Sequence, residues 1–105
     1  MMEKQIIDIF NIIEGNFAVT TVDGETLYEI IRKNIQDQHE TTLDFARISI
    51  VTTAFLNAAI GQLYRIYKSE DIKPYLRLTN VDDEDLILFQ KVTSRAKQYY
   101  AQKKN

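Results

Sequence analysis

The chain has no cysteine, one proline and three glycines among its 105 residues. Without cysteine there is no disulfide, no thiolate metal site and no thiol nucleophile, as suits a reducing compartment. So little proline and glycine implies short connections, and no internal repeat or low-complexity linker interrupts the chain. No run approaches the about 18 apolar residues that a membrane span needs. The opening "MMEKQIID" places charge ahead of a short apolar run and lacks the long apolar core of a secretion signal. These absences make a cytoplasmic protein without membrane association the expectation. The formal charge is −2, from 13 Lys and Arg against 15 Asp and Glu, too little imbalance to hold nucleic acid by bulk charge.

What is present is material for a core: 45% hydrophobic residues, 10% of the chain being aromatic. A chain of this length reads as one domain over 1–105, with the tail 101–105 expected to fray. "IIDIFNII" (6–13) is apolar almost throughout, as a doubly covered strand is. "EGN" (14–16) reads as a turn and "FAVTTV" (17–22) as a second strand, so the two form a β-hairpin. The period then changes. Leu27, Ile30, Ile31, Asn34 and Ile35 recur at helical spacing within 23–38, with Asp23 placed to cap the start. "HETTLDF" (39–45) leads into a third strand. Phe55, Leu56, Ala59, Ile60, Leu63, Ile66 and Tyr67 trace a second helix, where Gly61 beside Ala58 and Ala59 marks a close approach of helix to sheet. "SEDIK" (69–73) reads as a polar loop, and Pro74 precedes a fourth strand at 75–81. Asn80 or Asp82 is placed to cap a last helix with a stripe of Leu86, Phe89, Val92, Ala96 and Tyr99. The order β-β-α-β-α-β-α predicts an α/β fold: a mixed four-stranded sheet, opened by an antiparallel hairpin and packed by about three helices.

Several residue groups carry potential chemistry. Asp82, Asp83, Glu84 and Asp85 lack the spacing of a calcium loop and read as first-turn charges complementing a helix dipole, so no metal site is assigned. The only histidine, His39, lies in a polar connection without a Ser, Cys or second His partner. Lys91, Arg95, Lys97, Lys103 and Lys104 cluster with Tyr99 and Tyr100, a mixture that can bind single-stranded nucleic acid; cations near a helix C-terminus equally complement its dipole, which is the reading favoured here. No catalytic residue and no cofactor is assigned, and an enzyme is not expected. In "ISIVTTAFLNA" (48–58), Thr52 is a good N-cap and Thr53 falls in the first helical turn, exposed at the positive end of the dipole. A phosphate on Thr53 would meet unpaired amides and a favourable field. On the residues alone, simple capping by both threonines is the stronger reading.

The stretch "TLDFARISIVTTAFLNAAIGQL" (42–63), after a hairpin and a first helix, resembles the STAS domain, the fold of bacterial anti-sigma factor antagonists and of sulfate-transporter tails. It resembles more closely a STAS-like domain of unknown function whose pattern reads Leu-Asp-Phe, a short apolar turn, two or three Ser/Thr, then Phe; Leu43, Asp44, Phe45, Thr52, Thr53 and Phe55 stand at those positions, and "LTNV" (78–81) matches the later strand end. In the antagonists an Asp-Ser-Ser-Gly motif opens the equivalent helix, and a partner kinase phosphorylates its first serine. Thr52 stands here at the Asp, Thr53 at the phosphorylated serine, Ala54 at the second serine and Phe55 at the glycine. The resemblance implies a non-enzymatic regulatory module that docks a protein partner, such as a histidine-kinase-type ATPase, through the loop 46–54 and the second helix. Asp44, Thr52, Thr53, Leu56, Asn57, Ile60 and Tyr64 are the candidate contacts and Thr53 the candidate phosphorylation site. The alternative is a constitutive interaction or homo-oligomeric assembly module in which the threonines only cap.

Overall fold

The computed structural model describes residues 3–103. β1 (Lys4–Asp8) passes directly into a single helical turn, α1 (Ile9–Ile13). β2 (Phe17–Ala18) leads into α2 (Thr21–Gln36), followed by β3 (Glu40–Asp44) and β4 (Ile50–Val51). A helical path then runs through α3 (Thr53–Leu56), a π-helical turn (Asn57–Gly61) and α4 (Leu63–Ile66). α5 (Ser69–Ile72) and a 3₁₀ turn (Lys73–Tyr75) deliver the chain to β5 (Leu76–Thr79), and α6 (Asp83–Lys103) closes the fold. Residues 101–103 of the expected frayed tail are helical; 104–105 lie outside the described residues.

The strands form two sheets rather than one of four strands. One has the order β1-β3-β5 and the other pairs β2 with β4, and every pairing is parallel. The expected N-terminal hairpin is therefore absent. The run 6–13 is divided: β1 ends at Asp8 and residues 9–13 wind into α1, whose end is closed by Glu14 in the left-handed conformation (φ 58°), its amide donating to the Phe10 carbonyl. With one helical turn inserted, β2 no longer lies antiparallel to β1 and pairs instead with β4. A continuous apolar run has no period to distinguish strand from helix.

β3 is the central strand, with Thr41 and Leu43 fully buried and Thr42 and Asp44 on the other side. The register puts Gln5, Ile7, Leu76 and Leu78 on the same side as Thr41 and Leu43, facing the helices. The opposite face presents Lys4, Ile6, Glu40, Thr42, Arg77 and Thr79, half-buried or exposed, tied by an Arg77–Glu40 ion pair of 2.8 Å. Parallel sheets usually have both faces covered; this one is covered on one. The core lies between sheet and helices, with Ile9, Leu27, Ile31, Leu43, Phe55, Leu56 and Leu63 fully buried and Phe45 meeting Phe89 edge-on at 5.4 Å.

The small residues of the second helical segment bring helices together, rather than helix and sheet. A Cβ on Gly24 of α2 would lie 2.5 Å from the Phe55 carbonyl oxygen and 2.7 Å from the Ala58 Cβ, while Gly61 faces Val92 and Ala96 of α6. The π turn lies in this same segment. Gln62 N bonds the Asn57 carbonyl at 3.2 Å, five residues back, which frees the Ala58 carbonyl; the Gln62 side-chain amide takes that carbonyl at 3.0 Å. A wide turn delays the apolar stripe by one residue, so Ile66 stands 49% exposed where a regular helix would bury it. In α6 the stripe holds through Phe89, Val92 and Ala96, whereas Leu86 and Tyr99 at its ends are exposed. "SEDIK" is helical because the Asp71 carboxylate accepts from the Lys68 amide at 3.4 Å and caps the turn. No helix among the described residues is long and apolar enough to cross a membrane.

Candidate functional site

Because β2 and β4 are parallel neighbours, the helices that follow them start side by side. α2 is capped by Thr20, whose hydroxyl accepts from the Asp23 amide at 3.0 Å, so Asp23 lies within the first turn and is not the cap. α3 is capped by Thr52, and there the hydroxyl is used twice: it accepts from the Phe55 amide at 3.2 Å and donates to the Val19 carbonyl at 2.9 Å. The Thr52 amide reaches the Ala18 carbonyl at 3.1 Å and its carbonyl receives the Leu56 amide at 3.1 Å. Thr52 is thus a half-buried staple between the two helix starts. Thr53, the next residue, is exposed, and its hydroxyl has no hydrogen-bond partner among the described residues. Ala54 and Asn57 are exposed on the same stretch.

Phe17 and Ile50 are register partners across β2 and β4, which places their side chains on one face. They are 53% and 48% exposed, and Val22, two residues beyond Thr20, is 72% exposed. Three large apolar side chains therefore stand in water around the paired helix starts. Period and composition do not single them out, because strands of two residues are too short to show which side faces out. The packing turns the candidates Leu56 and Ile60 inward: they are 0% and 2% exposed, on the inner side of the helical path and not at its rim. Tyr64 is half-buried, and burial raises its phenol above the ordinary range; Lys97 Nζ lies 6.0 Å from its ring centroid. Ile60 and Tyr64 instead border a groove of about 250 Å³ between β5 and α6, with Leu76, Leu78 and Phe89.

The carboxyl ends of β1, β3 and β5 hold a second polar group. Asp44 accepts from Asn80 Nδ2 at 2.8 Å and from the Ala46 amide at 2.9 Å. The Asn80 bond, then the Ala46 amide, hold its carboxyl below the ordinary aspartate range. Asp44 thus ties the turn after β3 to the turn after β5, and Asn80, at φ 58°, serves this tie and not the cap of α6. The turn itself is closed by the Ile48 amide on the Phe45 carbonyl at 3.1 Å, with Arg47 left-handed at φ 67°. That conformation sends the Arg47 guanidinium to Asp8 at 3.0 Å and over the Phe10 ring at 4.1 Å. The loop 46–54 is therefore pinned at both ends: by Arg47 and Asp44 at its start, and by Thr52 at its end.

The remaining sequence candidates lie elsewhere. His39 is held by Gln5 at 3.1 Å and Glu3 at 3.2 Å, at the opposite end of β3 from Asp44. In the acidic run, burial and then the neighbouring Asp82 and Glu84 push the Asp85 carboxyl up. Tyr99 and Tyr100 meet edge-on at 4.9 Å.

No curated protein and no solved structure matches the chain. The pattern of the STAS-like domain of unknown function (DUF4325) matches residues 23–86, a span that includes all but the first two residues of α2, the Asp44–Asn80 tie, the pinned loop and the Thr52–Thr53 helix start. With more than half of its length matched, the chain belongs to the STAS-like domain family.

Proposed function

We propose that this protein is a non-enzymatic regulatory module that docks a protein partner through the loop 46–54 and the adjoining β2–α2 start, with Thr53 as a phosphorylation switch. The observation that carries the reading is the contrast between the two threonines. Thr52 spends both hydrogen-bonding capacities of its hydroxyl on the fold, whereas Thr53 presents an unpartnered hydroxyl to solvent. Phosphate there would add a charge of about −1.5 to −2 at the start of a helical run that follows β4, whose Ile50 is exposed opposite Phe17, and that starts alongside α2, whose Val22 is exposed. A partner that buries those three apolar groups would feel that charge directly. The resemblance to anti-sigma factor antagonists makes a histidine-kinase-type ATPase the partner to test. The exposed apolar trio favours a second reading, constitutive docking, since it needs no modification to bind.

The two readings separate in one experiment: incubation with Mg-ATP and a histidine-kinase-type ATPase encoded by a neighbouring gene, phosphate mapping by mass spectrometry, and calorimetric titration of Thr53→Ala and Thr53→Glu. The switch predicts phosphate on Thr53 and a Kd difference of about tenfold or more between the two variants. Equal Kd values for both variants would leave only constitutive docking.

A further inference from the structure

We propose that the free edge of β1 pairs antiparallel with β1 of a second copy of this chain, about a two-fold axis at Ile6. The strand order leaves β1 with β3 on one side and no strand on the other among the described residues. The Glu3 carbonyl receives the Glu40 amide at 2.7 Å, so in the alternating parallel ladder residues 3, 5 and 7 turn their backbone groups toward β3. Lys4, Ile6 and Asp8 then turn theirs outward, and no bond outside the β1–β3 ladder uses the amide or carbonyl of Lys4 or Ile6. The same three side chains lie on the open face of the sheet, with Ile6 74% exposed.

The segment Lys4-Gln5-Ile6-Ile7-Asp8 reverses its charge about its centre. Laid antiparallel on itself with Ile6 opposite Ile6, it sets Lys4 of each copy against Asp8 of the other. The two Ile6 residues exchange amide–carbonyl bonds and cover each other's side chains. This is the self-complementarity that an isologous interface requires. A strand from an unrelated protein would have no reason to meet that charge order, and β1 carries no proline to block pairing, while its two edge charges are of opposite sign and attract across the axis. Lys4 arrives at a carboxylate that already holds Arg47 at 3.0 Å, so each Asp8 lies between two cations. Pairing turns a three-stranded sheet into a continuous six-stranded one and removes one of its two open edges. The pairing strand lies outside the loop 46–54 and meets it through the Asp8–Arg47 ion pair; the self-association does not depend on the docking reading.

The test is multi-angle light scattering on the full chain across ~10 µM to ~1 mM, the span in which so small an interface associates. The mass should rise from 12.3 kDa toward twice that value, and Ile6→Lys, which sets two like charges at the axis, should stay at 12.3 kDa throughout. Because the chain has no cysteine, Ile6→Cys supplies a single thiol. Opposed Cα atoms about 5.5 Å apart fall in the range a disulfide spans. Mild oxidation should convert Ile6→Cys to a covalent dimer at least tenfold faster than the exposed helix variant Ser94→Cys. A constant mass of 12.3 kDa at all concentrations, a dimer that survives Ile6→Lys, or equal cross-linking of the two cysteine variants would each overturn the proposal.

Discussion

Gly24 shows how a single hydrogen atom in place of a methyl group sets the position of the candidate site. It lies in the first turn of α2 against the Phe55 carbonyl and Ala58, and this contact holds the two helix starts together beside β2 and β4. Backbone cannot move aside as a flexible side chain can. Gly24→Ala should therefore destabilise by about 3 kcal/mol, read as a fall of roughly 10–20 °C in the thermal midpoint followed by circular dichroism. A variant melting within about 2 °C of the parent would mean that the helices are free to separate at no cost. The threonine pair was legible in the sequence at this same scale. Thr52 as cap and Thr53 as exposed neighbour follow from cap chemistry alone. The burial of Leu56 and Ile60 was legible too: they share the helical stripe that Phe55 and Ala59 define, and a stripe is read as core before it is read as rim.

α2 and α6 are the elements most plainly written in the chain, since long amphipathic periods survive uncertainty at their ends. α2 spans 21–36 rather than 23–38 because Thr20, not Asp23, supplies the cap. Its far end is a Schellman closure in which the His39 amide bonds the Asn34 carbonyl at 2.8 Å and Gln38 bonds Ile35 at 3.0 Å. Gln38 holds φ 60° there, a conformation that costs a side chain and not a glycine. Gln38→Gly should stabilise the protein by about 0.5–1 kcal/mol, measured as a higher urea midpoint at unchanged slope; a lower midpoint would show that the Gln38 side chain contributes more than its backbone strain costs. Other elements were hidden for physical reasons. The apolar run 6–13 has no period, β2 and β4 are two residues each, and α5 depends on one carboxylate, Asp71, folding back to cap it. The π turn at 57–61 has no compositional mark beyond the small residues Ala58, Ala59 and Gly61.

For the molecule as a whole, the α/β class and the succession of strands and helices were legible, while the topology was not. Alternation of strand and helix predicts parallel pairing, and that holds for β1-β3-β5. The short spacing of two apolar runs around Gly15 predicted a hairpin, and the helical turn of α1 displaced it. The consequence falls on the candidate site: β2, released from β1, pairs with β4 and sets Phe17 opposite Ile50, in the strand that leads into Thr52 and Thr53. Both strands at the site are thus placed by pairings between residues more than thirty apart, which local sequence cannot announce.

The central claim is that a protein partner docks on this composite surface. The most direct measurement is a nuclear magnetic resonance titration of isotope-labelled protein with the unlabelled histidine-kinase-type ATPase, following every backbone amide. The account predicts that shifts and line broadening concentrate at residues 17–22 and 46–54 and extend to Asn57. Perturbations confined to α6 or β1, with those residues silent, would contradict it.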